Sequence, residues 1–297
     1  MKSPARLLLI LLFTTAFLLP ICALAQPSED ETRNDSMQDV LEWLEVGYKH
    51  LMANDLDASI KAYTNAVHLA PDYAASYYNR GNVYTVKGDY GKAIDDFSAA
   101  IRLKPNYTEA YYNRGLAYYN YRGDEFYSRN KYDLAVADYL TVISVKPDFA
   151  EAYYNCGLAF DKRAKHLHAI EAYSRAIAIK PDYVAAYNSL GTSYAMQGHF
   201  NKAIEEISKA ITLDPKLTEA YINRGRVYDR KNQYTKAMDD YNAALKVNPR
   251  LTDAYVNRGL TYLHLKNMDA MCADYKQACE LGQCSELTWA KDNGYCN

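Results

Sequence analysis

Seven glycines fall on a lattice. Gly47, Gly81, Gly115, Gly157, Gly191, Gly225 and Gly259 are separated by 34, 34, 42, 34, 34 and 34 residues. Six prolines (Pro71, Pro105, Pro147, Pro181, Pro215 and Pro249) repeat in phase at 34, 42, 34, 34 and 34 residues. Chance does not produce two interleaved lattices that share one eight-residue slip. A fixed period of this length implies stacked supersecondary units rather than one globular core, with function expected on a surface.

Each unit carries the same internal pattern. An aromatic precedes the glycine by four residues: Trp43, Tyr77, Tyr111, Tyr153, Tyr187, Tyr221 and Tyr255. A bulky residue follows it by three: His50, Tyr84, Tyr118, Phe160, Tyr194, Tyr228 and Tyr262. Small residues then recur on a second helix, at Ala93, Ala135, Ala169, Ala203 and Ala237 and at Ala66, Ala100, Ala176, Ala210, Ala244 and Ala278. Proline closes the unit, where it cannot continue a helix.

This pattern resembles the tetratricopeptide repeat (TPR) family over residues 40–285. The resemblance implies an all-α, right-handed superhelical solenoid of seven antiparallel helix pairs, with the first helix of each pair lining the concave face. With the glycine as position 8, the repeats are 40–73, 74–107, 108–149, 150–183, 184–217, 218–251 and 252–285. Residues 286–297 form a C-terminal cap. Repeat 1 departs from the pattern at His50 and Ser59. Repeat 3 holds the slip, expected to extend the tip between its helices. That insertion contains Arg122-Gly123-Asp124, a tripeptide some adhesion receptors read; a solvated hairpin tip is the stronger reading.

Residues 1–25 read as a secretory signal: Lys2 and Arg6, then the apolar run 7–19, then Ala23-Leu24-Ala25 as a cleavage site. An uncleaved anchor is the alternative, and Ile21 before Cys22 argues against lipid attachment. Residues 26–39 are polar and acidic and read as a flexible leader. Lys+Arg total 34 against 36 Asp+Glu. No basic stripe argues for nucleic acid, and no further stretch is long and apolar enough to span a bilayer. The expected location is periplasmic or secreted, possible membership of an envelope complex included.

Cysteine usage fits an oxidising compartment. Cys272, Cys279, Cys284 and Cys296 crowd the C-terminus and read as a disulfide framework. Cys272 and Cys279 are about 10.5 Å apart along one helix, too far for a bridge. Leu281-Gly282 ends that helix, and Ser285 is expected to cap a final helix over roughly 285–292 that runs back antiparallel. Nested pairing follows, Cys279 with Cys284 and Cys272 with Cys296. The remaining disulfide rival is Cys272–Cys284 with Cys279–Cys296, and a zinc site is the other alternative. Cys156 stands alone and reads as a buried, inert thiol.

Position 7 is Arg in four repeats (Arg80, Arg114, Arg224, Arg258), and position 23 is Asp in the same four (Asp96, Asp138, Asp240, Asp274). The other repeats have neither: Val46 with Ala62, Cys156 with Ala172, Leu190 with Glu206. This co-occurrence predicts partly buried Arg–Asp pairs within repeats, structural in role.

No phosphate loop, nucleophile elbow or H-E-x-x-H motif is present, and His166 and His168 face different sides of a helix. The expected function is a non-enzymatic scaffold, without cofactor or metal, that binds an extended peptide in the concave groove. The TPR resemblance places positions 2, 5, 6, 9, 12 and 13 there. Position 5 offers a tyrosine ladder, Tyr78, Tyr112 and Tyr154, followed by Asn188; Tyr119 and Asn120 add to it. Asn79, Asn113, Asn155, Asn223 and Asn257 at position 6, with Asn82, are expected to grip a peptide backbone. Acids at position 2 (Glu109, Glu151, Glu219, Asp253) would suit a basic partner, and a carboxylate clamp lacks its lysines. Asp161, Lys162, Arg226, Asp229 and Arg230 give the C-terminal half a mixed charge. The alternatives are an assembly subunit acting by its convex face or ends, and a glycan or small-ligand binder on the tyrosine ladder.

Overall fold

The computed structural model describes residues 31–121 and 125–296. The signal segment and Arg122-Gly123-Asp124 lie outside the described residues. Fifteen helices and no strand occur among the described residues. In chain order they are α1 (Glu31–Met52), α2 (Leu56–Leu69), α3 (Ala74–Lys87), α4 (Tyr90–Leu103), α5 (Thr108–Asn120), α6 (Glu125–Val145), α7 (Ala150–Lys162), α8 (His166–Ile179), α9 (Val184–Met196), α10 (Phe200–Leu213), α11 (Thr218–Arg230), α12 (Tyr234–Val247), α13 (Thr252–His264), α14 (Met268–Glu280) and α15 (Ser285–Asp292). The chain is an all-α array of seven helix pairs and a capping helix. It divides at Pro147 into a unit of three pairs and a unit of four pairs with the cap.

The lattice glycine is where the helices of a pair meet. A Cβ on Gly157 would come within 2.5 Å of the Tyr173 ring, and one on Gly225 within 2.6 Å of Tyr241. The second-helix ring lies directly on the first-helix backbone, and only hydrogen fits between them. The alanines expected to pack there are sealed, with Ala93, Ala100, Ala169, Ala176, Ala237 and Ala244 all at 0% exposure. Ser59 fills the same place in repeat 1, and its hydroxyl donates to the Gly47 carbonyl at 2.7 Å. That bond removes the cost of burying a hydroxyl.

The turn inside a pair needs one left-handed residue. Gly88 and Gly198 supply it without strain, and Asn54 and Asn232 tolerate it. Ala164 and Lys266 hold the same conformation at φ 54° and 57°, so the turn is imposed by the pair rather than by its own sequence. The proline lattice follows the helix ends: Pro105 and Pro181, for example, come directly after the C-terminal caps Lys104 and Lys180.

Three expectations change in detail. The insertion of repeat 3 goes into its second helix: α6 has 21 residues where α4 and α8 have 14. Residues 31–39, assigned to a flexible leader, continue α1 toward its N-terminus, because Met37 and Val40 pack against Ala66 and Ala70. Ser285 is the first residue of α15 rather than its cap; Cys284 occupies the cap position, and the Ser285 hydroxyl turns to Glu286 at 2.8 Å.

The structure pairs Cys272 with Cys296 and Cys279 with Cys284, at Cα separations of 5.6 and 4.0 Å. Met271, Tyr275 and Ala290 form the core under the cap, flanked by Tyr262, Leu263 and Leu287. An isolated eight-residue helix is not stable in water, so α15 depends on this packing and on the two bridges.

Gly157→Ala is expected to destabilise the protein by about 1–3 kcal/mol, as overpacking does. The Tyr173 ring cannot retreat freely, because its hydroxyl is bonded to Asp161. Chemical denaturation of the variant, read by circular dichroism against wild type, checks this.

Candidate functional site

The position-7 arginines are clasps. Arg114 donates from Nε and Nη2 to both oxygens of Asp138, at 2.9 and 2.8 Å. Arg80 with Asp96 (2.8 and 2.8 Å), Arg224 with Asp240 (2.9 and 2.7 Å) and Arg258 with Asp274 (2.8 and 2.7 Å) repeat the geometry. Each guanidinium also lies over the position-4 ring of its own repeat, 5.4 Å from the Tyr111 centroid in the case of Arg114. The aspartate side chains are only 6–8% exposed. Burial pushes the carboxyls of Asp96, Asp138 and Asp240 upward, and the facing arginine opposes that shift.

A third contact escaped the sequence reading. Nη1 of each arginine reaches the second helix of the preceding repeat: Arg80 to Thr64 (3.1 Å), Arg114 to Ser98 (3.0 Å), Arg224 to Ser208 (2.8 Å) and Arg258 to Asn242 (2.6 Å). The clasp therefore ties repeats together as well as closing each one. A signal existed: position 25 is a short polar residue one repeat before every such arginine. Ser174 is the exception. It precedes Leu190, and its hydroxyl turns back to the Ile170 carbonyl.

Within each unit the first helices of successive repeats touch one another and form an inner layer. Much of the expected groove is used in building that layer. Tyr78 is 8% exposed, packs 5.9 Å from Phe97 and 4.8 Å from Tyr107, and accepts from Asn113 Nδ2 at 3.1 Å. Burial pushes its hydroxyl up to about 12. Tyr112 leans on Tyr139 at 6.0 Å, and Tyr154 on Tyr173 and Tyr183 at 5.8 and 5.0 Å. Tyr78 is thus part of the floor of its inner layer, whereas Tyr112 and Tyr154 are half-buried, each in its own unit. Tyr119 is half-buried, 5.6 Å from Tyr132.

The asparagines behave alike. Asn113 Nδ2 donates to Asn82 Oδ1 at 2.8 Å, and Asn223 Nδ2 to Asn188 Oδ1 at 3.1 Å, with Asn188 and Asn223 buried. Asn120 returns to the Leu116 carbonyl, and Asn257 to that of Asp253. Asn79 and Asn155 are half-buried. Adjacent first helices lie close enough for these short amides to meet each other.

Asp161 and Asp229 are hubs. Asp161 accepts from Tyr173 (2.9 Å) and from Ser193 of the next repeat (2.7 Å), and meets His166 Nδ1 at 2.9 Å. Asp229 accepts from Tyr241 (2.6 Å) and from Thr261 of the next repeat (2.9 Å). Burial holds the Asp229 carboxyl above its usual range. The acidic row is half neutralised: Lys146 pairs with Glu109 at 2.8 Å and Lys180 with Glu151 at 3.6 Å. Burial works against ionisation of Glu109, but the Lys146 ammonium, a backbone hydrogen bond and the charge of Lys104 together outweigh it, and the Glu109 pKa is lowered. On the second unit, Lys162, Met196, Glu219, Arg226, Arg230 and Asp253 remain exposed.

Tetratricopeptide-repeat patterns match this chain at residues 47–86, 81–120, 123–162 and 168–198, and at 184–217, 218–251 and 252–281. The chain belongs to the tetratricopeptide repeat family. A solved TPR protein from Parabacteroides merdae is 20% identical with a TM-score of 0.67, over 84% of this chain and 96% of that one. MamA is 27% identical with a TM-score of 0.55, over 60% of this chain and 93% of its own. YrrB, described as a TPR protein with an unusual peptide-binding site, is 21% identical with a TM-score of 0.53, over 70% and 98%. A comparison with curated proteins gives no match.

Two outcomes test this TPR array. Arg114→Ala leaves Asp138 buried without its counter-charge and is expected to cost about 3 kcal/mol, whereas Arg114→Ala with Asp138→Ala loses clearly less than the sum of the two single changes; additive losses in the denaturation cycle would refute the clasp. Cys156 is 1% exposed and burial pushes its thiol up to about 12, so iodoacetamide at about pH 8 should label it at least ~10-fold more slowly than an exposed thiol, until denaturant is added.

Proposed function

We propose that this TPR protein is a non-enzymatic scaffold, working outside the cytoplasm, that holds an extended segment of a partner protein along its inner first-helix layer. The observation that carries this reading is Met196. It is a large apolar side chain, 55% exposed, at the end of a first helix whose neighbours in the second unit present Lys162, Arg226 and Arg230 to solvent. An apolar anchor among polar groups is the composition that gives peptide sites both affinity and direction. The two bridges of the cap support an oxidising compartment. No described helix is long and apolar enough to cross a membrane.

The glycan alternative is weakened, since Tyr78 is packed into the layer and only Tyr112 and Tyr154 keep partial exposure. The assembly alternative keeps one observation: α6 exposes Leu134, Leu140 and Val145 at 38%, 50% and 61%. Selection from a displayed library of unstructured peptides separates the readings. Peptides enriched on the wild-type protein should bind Met196→Ser about tenfold more weakly, a loss of about 1.4 kcal/mol, with the helical spectrum unchanged. Enriched peptides that are indifferent to Met196→Ser but lost on Leu140→Ser would move the function to the outer face.

A further inference from the structure

On the second unit three first-helix ends lie side by side. Ser193 of α9 donates to Asp161 of α7, and Arg230 of α11 reaches back to the Ala195 carbonyl of α9 at 3.5 Å. The middle helix, Val184–Met196, contains no charged residue and ends in the exposed Met196. The helices on either side present exposed cations, Lys162 on α7 and Arg226 with Arg230 on α11.

Asp161 and Asp229, which adjoin Lys162 and Arg230 in sequence, are engaged by other donors. Asp161 accepts from Tyr173 and Ser193, and Asp229 from Tyr241 and Thr261. Their charges still moderate the local field, but their oxygens are not offered to a ligand. Glu151 faces Lys180. Glu219 is exposed and precedes Arg226 by seven residues, about 10 Å along the helix; Asp253 is exposed in the first turn of α13, one turn before the Asn257 that Arg226 contacts, and moderates the positive field there. Lys162 and Arg230 also complement the negative ends of their helices. Arg226 lies a turn earlier, where the dipole gives it no such role, and Asn257 Oδ1 orients its Nε at 3.0 Å.

We infer that this strip takes an acidic extended segment, with one large apolar side chain seated at Met196 and a carboxylate on each side, meeting Lys162 and the Arg226–Arg230 pair. The inference rests on the inner face being a peptide site. Packed helix axes are about 9 Å apart, so the two cationic edges are about 18 Å apart. A chain in the polyproline II conformation rises about 3.1 Å per residue and returns to the same face every third residue, which places the two carboxylates about six residues from each other, three on either side of the apolar side chain. The acidic preference is the opposite of what the position-2 row suggests from sequence.

Fluorescence anisotropy with three synthetic decapeptides tests this. One has a leucine flanked three residues away on each side by aspartate, one has lysines in place of the aspartates, and one has alanine in place of the leucine. The aspartate peptide is expected to bind wild type at least about tenfold more tightly than the lysine peptide, with the advantage shrinking at about 0.5 M salt. Arg226→Glu with Arg230→Glu should invert the preference, and Arg226→Gln with Arg230→Gln should erase most of it should the reversed pair fold poorly. Equal binding of the aspartate and lysine peptides, both weakened by Met196→Ser, would overturn the acidic assignment and leave the peptide site standing. Binding of library-selected and designed peptides that ignores Met196 and all three cations would overturn both.

Discussion

The close approach of the two helices in each pair is the constraint on which the rest of the structure depends. It exists because a second-helix side chain lies on a first-helix glycine, as Tyr173 does on Gly157 and Ile207 on Gly191. With the backbones that near, only alanine or serine fits at the adjoining second-helix positions, and Ser59 remains tolerable because Gly47 offers its carbonyl. The same proximity brings position 7 within guanidinium reach of position 23. A bidentate clasp is therefore available in every repeat, and four of the seven take it. Replacing the glycine lattice would separate the helices and remove the geometry that makes these buried ion pairs satisfiable.

Close pairs also bring successive first helices together, which has a consequence for function. Side chains that would otherwise face a ligand meet one another first. Asn82 with Asn113, Asn188 with Asn223, and Asp161 with Ser193 are all contacts between neighbouring repeats. The inner layer thereby gains polar ties that resist sliding of one repeat on the next, and it loses ligand-binding capacity. What remains exposed is a short set of side chains at the ends of the first helices.

This explains what could be read in the chain alone. The glycine and proline lattices carried the helix pairs, because each position has one steric role in every repeat. The Arg–Asp pairs were legible because both partners vary together inside one repeat. Contacts between repeats were not, since Arg114–Ser98 or Asn113–Asn82 appear only when columns are compared at an offset. Tyr78 misled for a related reason. Position 5 borders both the groove and the pair interior, and a ring as large as that of Tyr78 gains more from packing on Phe97 and Tyr107 than from solvent. The start of α1 was missed because the sequence before Val40 is mostly polar, and the packing of Met37 beside Val40 on Ala66 and Ala70 is not visible in it.

Repeats 4 and 5 keep one kind of tie without the other. Neither has the clasp: Cys156 and Leu190 stand where the other inner repeats carry arginine. Their shared seam is held by Asp161, which takes the Tyr173 hydroxyl from its own repeat and the Ser193 hydroxyl from the next, as Asp229 does between repeats 6 and 7 beside the Arg258 clasp. With Leu190 where a clasp would have placed an arginine, α9 contains no charged residue. The uncharged helix then stands between cations supplied by its neighbours. Alternation of that kind along the array is what a uniform set of repeats lacks, and it allows one stretch of an inner layer to prefer one register of a bound chain over another.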